Sequence, residues 1–186
     1  MLFRSTKRAS LAALDQVYQW ALAQPVFNIH ASEYAQKALD FMRITVARRL
    51  DGSFVTRGAG HLRTFRTSTA VHPRIAPQRQ VAGYTAHGDQ HYIHVSDAEA
   101  QIELTGQAPA TPFLADANAP LRQVRMAAGR MELEFEARTA LSFTLANARA
   151  CAVSHDAARL TPTPGNPLKF DTRLNGRTTI TVRCDT

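Results

Sequence analysis

Three imidazoles fall within eight residues: His87, His91 and His94, in the run His87-Gly88-Asp89-Gln90-His91-Tyr92-Ile93-His94. Such density is a metal-ligand signal, since neutral imidazole suits zinc and copper. Strand geometry argues against it. His91 and His94 are three apart, so a strand points them to opposite faces. His87 could meet His91 across a hairpin, which supplies two ligands and not three. The segment therefore reads as exposed hairpin histidines, and no metal site is assigned. Glu132, Glu134 and Glu136 form a second constellation. Paired carboxylates can exchange protons or bind calcium. Three on one strand face read more simply as a solvated face balanced by cross-strand arginine. Cys151 and Cys184 are the two thiols, both on expected strands. They could pair, or each could be an ordinary buried cysteine. No G-x-S-x-G elbow, P-loop or G-x-G-x-x-G occurs. A self-contained enzyme is not indicated.

The elements that carry these residues change character near residue 43. Leu11, Leu14, Val17, Tyr18, Ala21 and Leu22 follow a helical stripe, with Ser10 as N-cap and Pro25 as stop. Val26–Ile29 reads as one strand ending at His30. Ser32 caps a second helix whose apolar side is Tyr34, Ala38, Phe41 and Met42. After residue 43 the period is two. Asp51-Gly52 is a two-residue turn signal between Arg43–Leu50 and Ser53–Arg57. Leu62–Arg66, Gln80–Ala86, Gln90–Val95 and Ala98–Thr105 follow. Residues 106–118 read as loop, and six more strands run to Arg183. Met131–Glu136 is the cleanest alternation. About eleven short strands with turns every 8–12 residues predict a jelly-roll-like antiparallel β-sandwich, preceded by a short helix–strand–helix segment. The division is 1–42 and 43–186.

Composition narrows the class. The chain has 186 residues and is 45% hydrophobic, which suits one globular domain and not a disordered tail. No run is long and apolar enough for a membrane helix. The amino terminus imitates a signal peptide, with Arg4, Lys7 and Arg8 before an Ala21-Leu22-Ala23 end. Asp15, Gln16 and Gln19 interrupt the apolar region a leader needs. The net charge is +7, from 22 basic and 15 acidic residues. Nineteen of the basic residues are arginines, and they are scattered. Nucleic acid is not expected as a partner, because its binders cluster their charge and interleave aromatics. A basic anion-binding module stays open as an alternative.

Residues 9–66 resemble the end of the polysaccharide deacetylase region of PelA-like proteins, which act in Pel exopolysaccharide biosynthesis. Ala9–Trp20, Ser32-Glu33-Tyr34-Ala35, Arg57-Gly58-Ala59-Gly60 and Leu62-Arg63-Thr64 carry the resemblance. It implies that 1–42 closes a deacetylase barrel and that 43–186 is the sandwich that follows it. The abrupt start of the first helix then reads as the end of a longer protein. The family's metal-binding aspartate and two histidines have no match here. A divalent metal is therefore expected only in a full-length deacetylase, and no cofactor in this chain. His30 could be a late-strand catalytic histidine, only within a complete barrel, or a plain hydrogen-bonded strand end. The implied role is an accessory module that binds carbohydrate or packs against the barrel, without catalysis on its own. The alternative is an active deacetylase or hydrolase. Implied partners are polysaccharide and a barrel upstream or in a neighbouring chain. The implied location is periplasmic or exported. Candidate sugar-contacting aromatics are Tyr84, Tyr92 and Phe65. Trp20 belongs to the helix stripe.

Overall fold

The computed structural model describes residues 3–22, 30–68, 70–76, 80–165 and 167–184. The chain divides into two compact units, Met1–Tyr34 and Ala35–Thr186. Two helices come first, α1 (Phe3–Leu22) and α2 (Ala31–Arg43). Then follow β1 (Thr45–Arg48), β2 (Phe54–Arg57), β3 (Thr64–Ser68), β4 (His72–Pro73), β5 (Val81–His87), β6 (Gln90–Val95), β7 (Gln101–Ile102) and β8 (Leu104–Thr105). The rest are β9 (Phe113–Ala117), β10 (Leu121–Ala127), β11 (Arg130–Ala137), β12 (Ser142–Ala146), β13 (Cys151–His155), β14 (Ala158–Arg159), β15 (Leu168–Asp171) and β16 (Gly176–Cys184). The protein is mainly β and every described strand pairing is antiparallel, as the alternating pattern requires. The expected strand Val26–Ile29 lies outside the described residues. No described helix is long and apolar enough to cross a membrane.

In the first unit, α1 begins at Phe3, so Ser10 is inside the helix and does not cap it. Leu11, Leu14, Val17, Tyr18 and Trp20 are all exposed. The carbonyl of His30 accepts the Tyr34 N–H at 2.9 Å, so His30 and not Ser32 precedes the first helical turn.

The sandwich is built by β9–β16. A five-stranded sheet, β10–β11–β16–β13–β14, and a three-stranded sheet, β15–β12–β9, share one core. Leu133, Phe135, Val153, Ile180 and Val182 come from the first sheet, and Leu114, Phe143, Leu145 and Phe170 from the second. Met131, Leu133 and Phe135 are buried while the intervening glutamates are not, so the period-two pattern translates directly into a dry and a wet face. Phe113–Ala117, expected as loop, is β9. Pro112 halts the preceding loop, and the apolar run Phe113-Leu114-Ala115 is buried throughout.

Upstream lie three smaller sheets, β1–β2–β7, β3–β6–β5 and β4–β8. Their core is Val81, Ile93, Val95, Ala100 and Ile102. Ala98–Thr105, expected as one strand, splits into β7 and β8 in different sheets. The two regions meet where β5 passes β9. A Cβ at Gly83 would overlap the backbone of Leu114, so only glycine permits this approach. The β1–β2 turn also departs from expectation. Gly52 alone has positive φ, at 82°, and Arg49 N–H donates to Ser53 O at 2.8 Å. This is a three-residue loop with an αL glycine, not a two-residue type I′ turn. Positive φ at two successive residues occurs instead at Asp156 and Ala157, between β13 and β14.

Candidate carbohydrate-binding face

Strand register distributes the three candidate aromatics. Phe65, Ile93 and Tyr84 lie directly across from one another in β3, β6 and β5. Cross-strand partners share a face, and Ile93 is buried in the small core with Phe65 and Tyr84 packed against it. Tyr84 also stacks on Phe113, with ring centroids 4.9 Å apart. Burial raises the Tyr84 phenol above its ordinary pKa of 10.0, which keeps it neutral. Tyr92 is one residue out of step and lies on the opposite face, between Arg66 and Thr85. The structure thus unites Phe65 and Tyr84 and separates Tyr92 from them.

The Tyr92 face is the wet one. Arg66, Thr64, Ser68 and His87 are exposed, and Tyr92, Gln90 and Thr85 are half-buried. Toward β9 the same face closes: His94 donates from Nε2 to Ala115 O at 3.0 Å. Burial holds the His94 imidazole below its ordinary 6.5. The open end therefore presents one aromatic on the central strand with a guanidinium, hydroxyls and an amide around it. An aromatic body flanked by convergent polar groups is what a sugar requires.

Of the three histidines only His87 is an exposed hairpin residue; His91 is buried and His94 half-buried. His91 is only 4% exposed and its Nδ1 donates to Val71 O at 2.8 Å. His91 pairs with Ala86, whereas His87 pairs with Gln90, so His87 and His91 occupy opposite faces and do not meet. His91 is joined by His72 of β4, in a stretch whose Pro73 and Pro77 read as loop from sequence. Their rings are 5.0 Å apart, and His72 Nδ1 lies 3.0 Å from the Tyr84 hydroxyl. Among the described residues no group of three His, Cys, Asp or Glu is placed to hold a metal ion.

Sequence reading also missed Asp40. It is the one buried residue of α2, while Tyr34, Phe41 and Met42, the expected apolar side, are exposed. Its carboxylate accepts the His61 N–H at 2.8 Å, His61 Nδ1–H at 2.9 Å and Gln36 Nε2–H at 3.0 Å. These bonds to the charged form, His61 first, lower its pKa from 3.8 to about 2. Gly60 has φ 52°, and a Cβ there would overlap the Asp40 carboxylate. The signal was present in Gly58-Ala59-Gly60-His61, which reads as a break until its partner is known. His30 is exposed and lies immediately before α2.

The glutamate ladder is a balanced face, as expected. Arg177 Nε donates to Glu134 at 2.6 Å and Arg122 Nε to Glu136 at 2.6 Å, and Glu132 pairs with Arg125 and Arg130. Cys151 and Cys184 sit directly opposite in β13 and β16 and form a disulfide. Beside Cys184 lies a cavity of about 220 Å³ walled by Ile75, Pro112, Met126, Met131 and Val182. Thr111 and Arg130 are its polar side chains, too few to orient a sugar.

Comparison with protein families, with curated proteins and with solved structures returned no match.

Proposed function

We propose that this chain is an accessory β-sandwich of an exopolysaccharide-modifying deacetylase. It binds polysaccharide through the open face of β3–β6–β5 and does not catalyse on its own. The observation that carries the reading is Tyr92 on the central strand, half-buried and directly across from Arg66 and Thr85. Phe65 and Tyr84 act from beneath, as the packed support of that strand. The resemblance of residues 9–66 to PelA-like deacetylases supplies the biological setting: a barrel upstream or in a neighbouring chain, with His30 catalytic only there. The disulfide favours an oxidising compartment such as the periplasm.

Purified chain, titrated with N-acetylhexosamine oligomers and followed by calorimetry or tyrosine fluorescence, tests the reading. Saturable binding is expected, with Tyr92→Ala weakening it about tenfold, by analogy with other stacking platforms. Wild-type protein that binds no polysaccharide overturns it.

A further inference from the structure

The cavity beside Cys184 is built on one cross-strand row. Met126 of β10, Met131 of β11 and Val182 of β16 are direct ladder partners, so their side chains share a face. Met131 and Val182 are buried in the sandwich core and form the floor. Cys184, two residues beyond Val182, continues the same face. Pro112, just before β9, and Ile75, just after β4, supply the other walls. Ile75 packs against the small core and Met126 against the large one. About 220 Å³ is thus left open where the two cores adjoin. A void of roughly 150 Å³ already admits one benzene ring, and a bound water needs about three polar partners. The lining side chains offer two polar groups, Thr111 and Arg130. The Arg130 guanidinium is held by Glu132, which leaves Thr111 to give a ligand one hydrogen bond. Sulfur decides the rest. Two of the chain's four methionines face each other here, beside the Cys151–Cys184 disulfide. Thioether sulfur is polarisable and favours aromatic rings, and unbranched methionine adapts to the shape of what it meets.

We propose that this cavity binds a small neutral aromatic molecule, one ring carrying a single hydrogen-bonding group, as in a phenol. The ring lies against Met126 and Met131, and its hydroxyl bonds with Thr111. The site uses other strands than the Tyr92 face and is independent of the carbohydrate-binding reading. An apolar pocket with one polar handle, set where two packed regions adjoin, is a common form of small-molecule site.

The test titrates the full, isotopically labelled chain with phenol and, in parallel, with cyclohexanol, which matches it in size but has no aromatic ring. Phenol is expected to saturate with a Kd on the order of a millimolar. Its resonance shifts should centre on Met126, Gly129, Met131 and Cys184 and leave Tyr92 unmoved. Cyclohexanol should bind roughly threefold or more weakly. Met126→Leu keeps the side-chain volume and removes one sulfur. It should lower phenol affinity roughly two- to tenfold and leave cyclohexanol binding unchanged. Ile75→Trp supplies a ring of the chain's own and should abolish phenol binding. Cyclohexanol binding as tight as phenol, or a Met126→Leu chain with undiminished phenol affinity, overturns the aromatic assignment. Shifts that never saturate or that centre elsewhere, or undiminished binding by Ile75→Trp, overturn the site itself. Should Ile75→Trp fail to fold, the shift map and Met126→Leu decide between these outcomes.

Discussion

The β9–β16 sandwich and the small sheets of β1–β8 solve the same problem with different means. The sandwich buries Phe135, Phe143 and Phe170, with Phe143 and Phe170 stacked 4.9 Å apart. Each such ring contributes roughly 1.5–3 kcal/mol on burial. The glutamates of its wet face are each matched by arginine, and its last strand is stapled to β13. The upstream sheets bury no apolar side chain larger than isoleucine in their core. They are organised instead by polar anchors. Asp40 holds the 60–61 loop, and His91 is fixed to Val71 O. The fully buried Thr56 accepts the Ala100 N–H at 2.9 Å and lies 3.2 Å from Ala98 O. Where apolar area is scarce, hydrogen bonds in a dry setting specify the arrangement, because leaving any one unmade is costly. It is this lightly packed, polar-anchored region that carries the open Tyr92 face.

Breaking the seam between the regions should have the largest effect. Gly83→Ala pushes a methyl into the Leu114 backbone, and a loss of about 3 kcal/mol or more is expected. Chemical denaturation should show it as a collapse of the cooperative transition. A Gly83→Ala chain with wild-type stability would mean the regions do not rely on this contact.

The sandwich staple ranks next or equal. Its cysteines are separated by 33 positions, so replacing both by alanine should cost roughly 3–4 kcal/mol in the chain-entropy model. The sandwich should soften first, which hydrogen exchange on β13 and β16 would reveal. Uniform loss of protection across β3–β6–β5 as well would show one cooperative unit.

Two acid responses separate the anchors. His94 has a depressed pKa when folded, so the unfolded chain takes up its proton first as pH falls. Its contribution is complete above 6.5 and declines below that value until the folded pKa is reached. His94→Gln, which keeps a donor for Ala115 O, should flatten stability across that window. Asp40 responds in the same direction at lower pH. Its folded pKa of about 2 lies below 3.8, so its contribution is present above 3.8 and is lost between about 4 and 2. Asp40→Asn should remove that acid step. Stability curves identical to wild type in either window would refute the corresponding anchor.

The smallest effect belongs to the matched face. A double-mutant cycle on Arg122 and Glu136, both about half-exposed, should give under about 1 kcal/mol. A much larger coupling would make the glutamate ladder a structural device.

Local pattern was enough for several of these features. Alternation in Met131–Glu136 specified the dry and wet faces of β11, since side chains on a strand alternate whatever their partners are. The matched glutamates followed from the same rule. The mainly β class followed from the spacing of turn residues. Local pattern failed where a partner distant in sequence decides. Asp40 reads as the polar side of an amphipathic helix until His61, twenty-one residues on, is brought against it. His72 reads as loop until β5 and β6 place Tyr84 and His91 beside it. Phe65, Tyr84 and Tyr92 look equivalent as aromatics, yet a one-residue offset in register sends Tyr92 to the other face. The pairing of Cys151 with Cys184 was likewise undecidable until β13 and β16 were seen to be neighbours. Composition and period determined that this chain makes antiparallel sheets with one wet side. Only tertiary structure decided which side chains share that side, because register depends on pairings between residues that the chain itself keeps far apart.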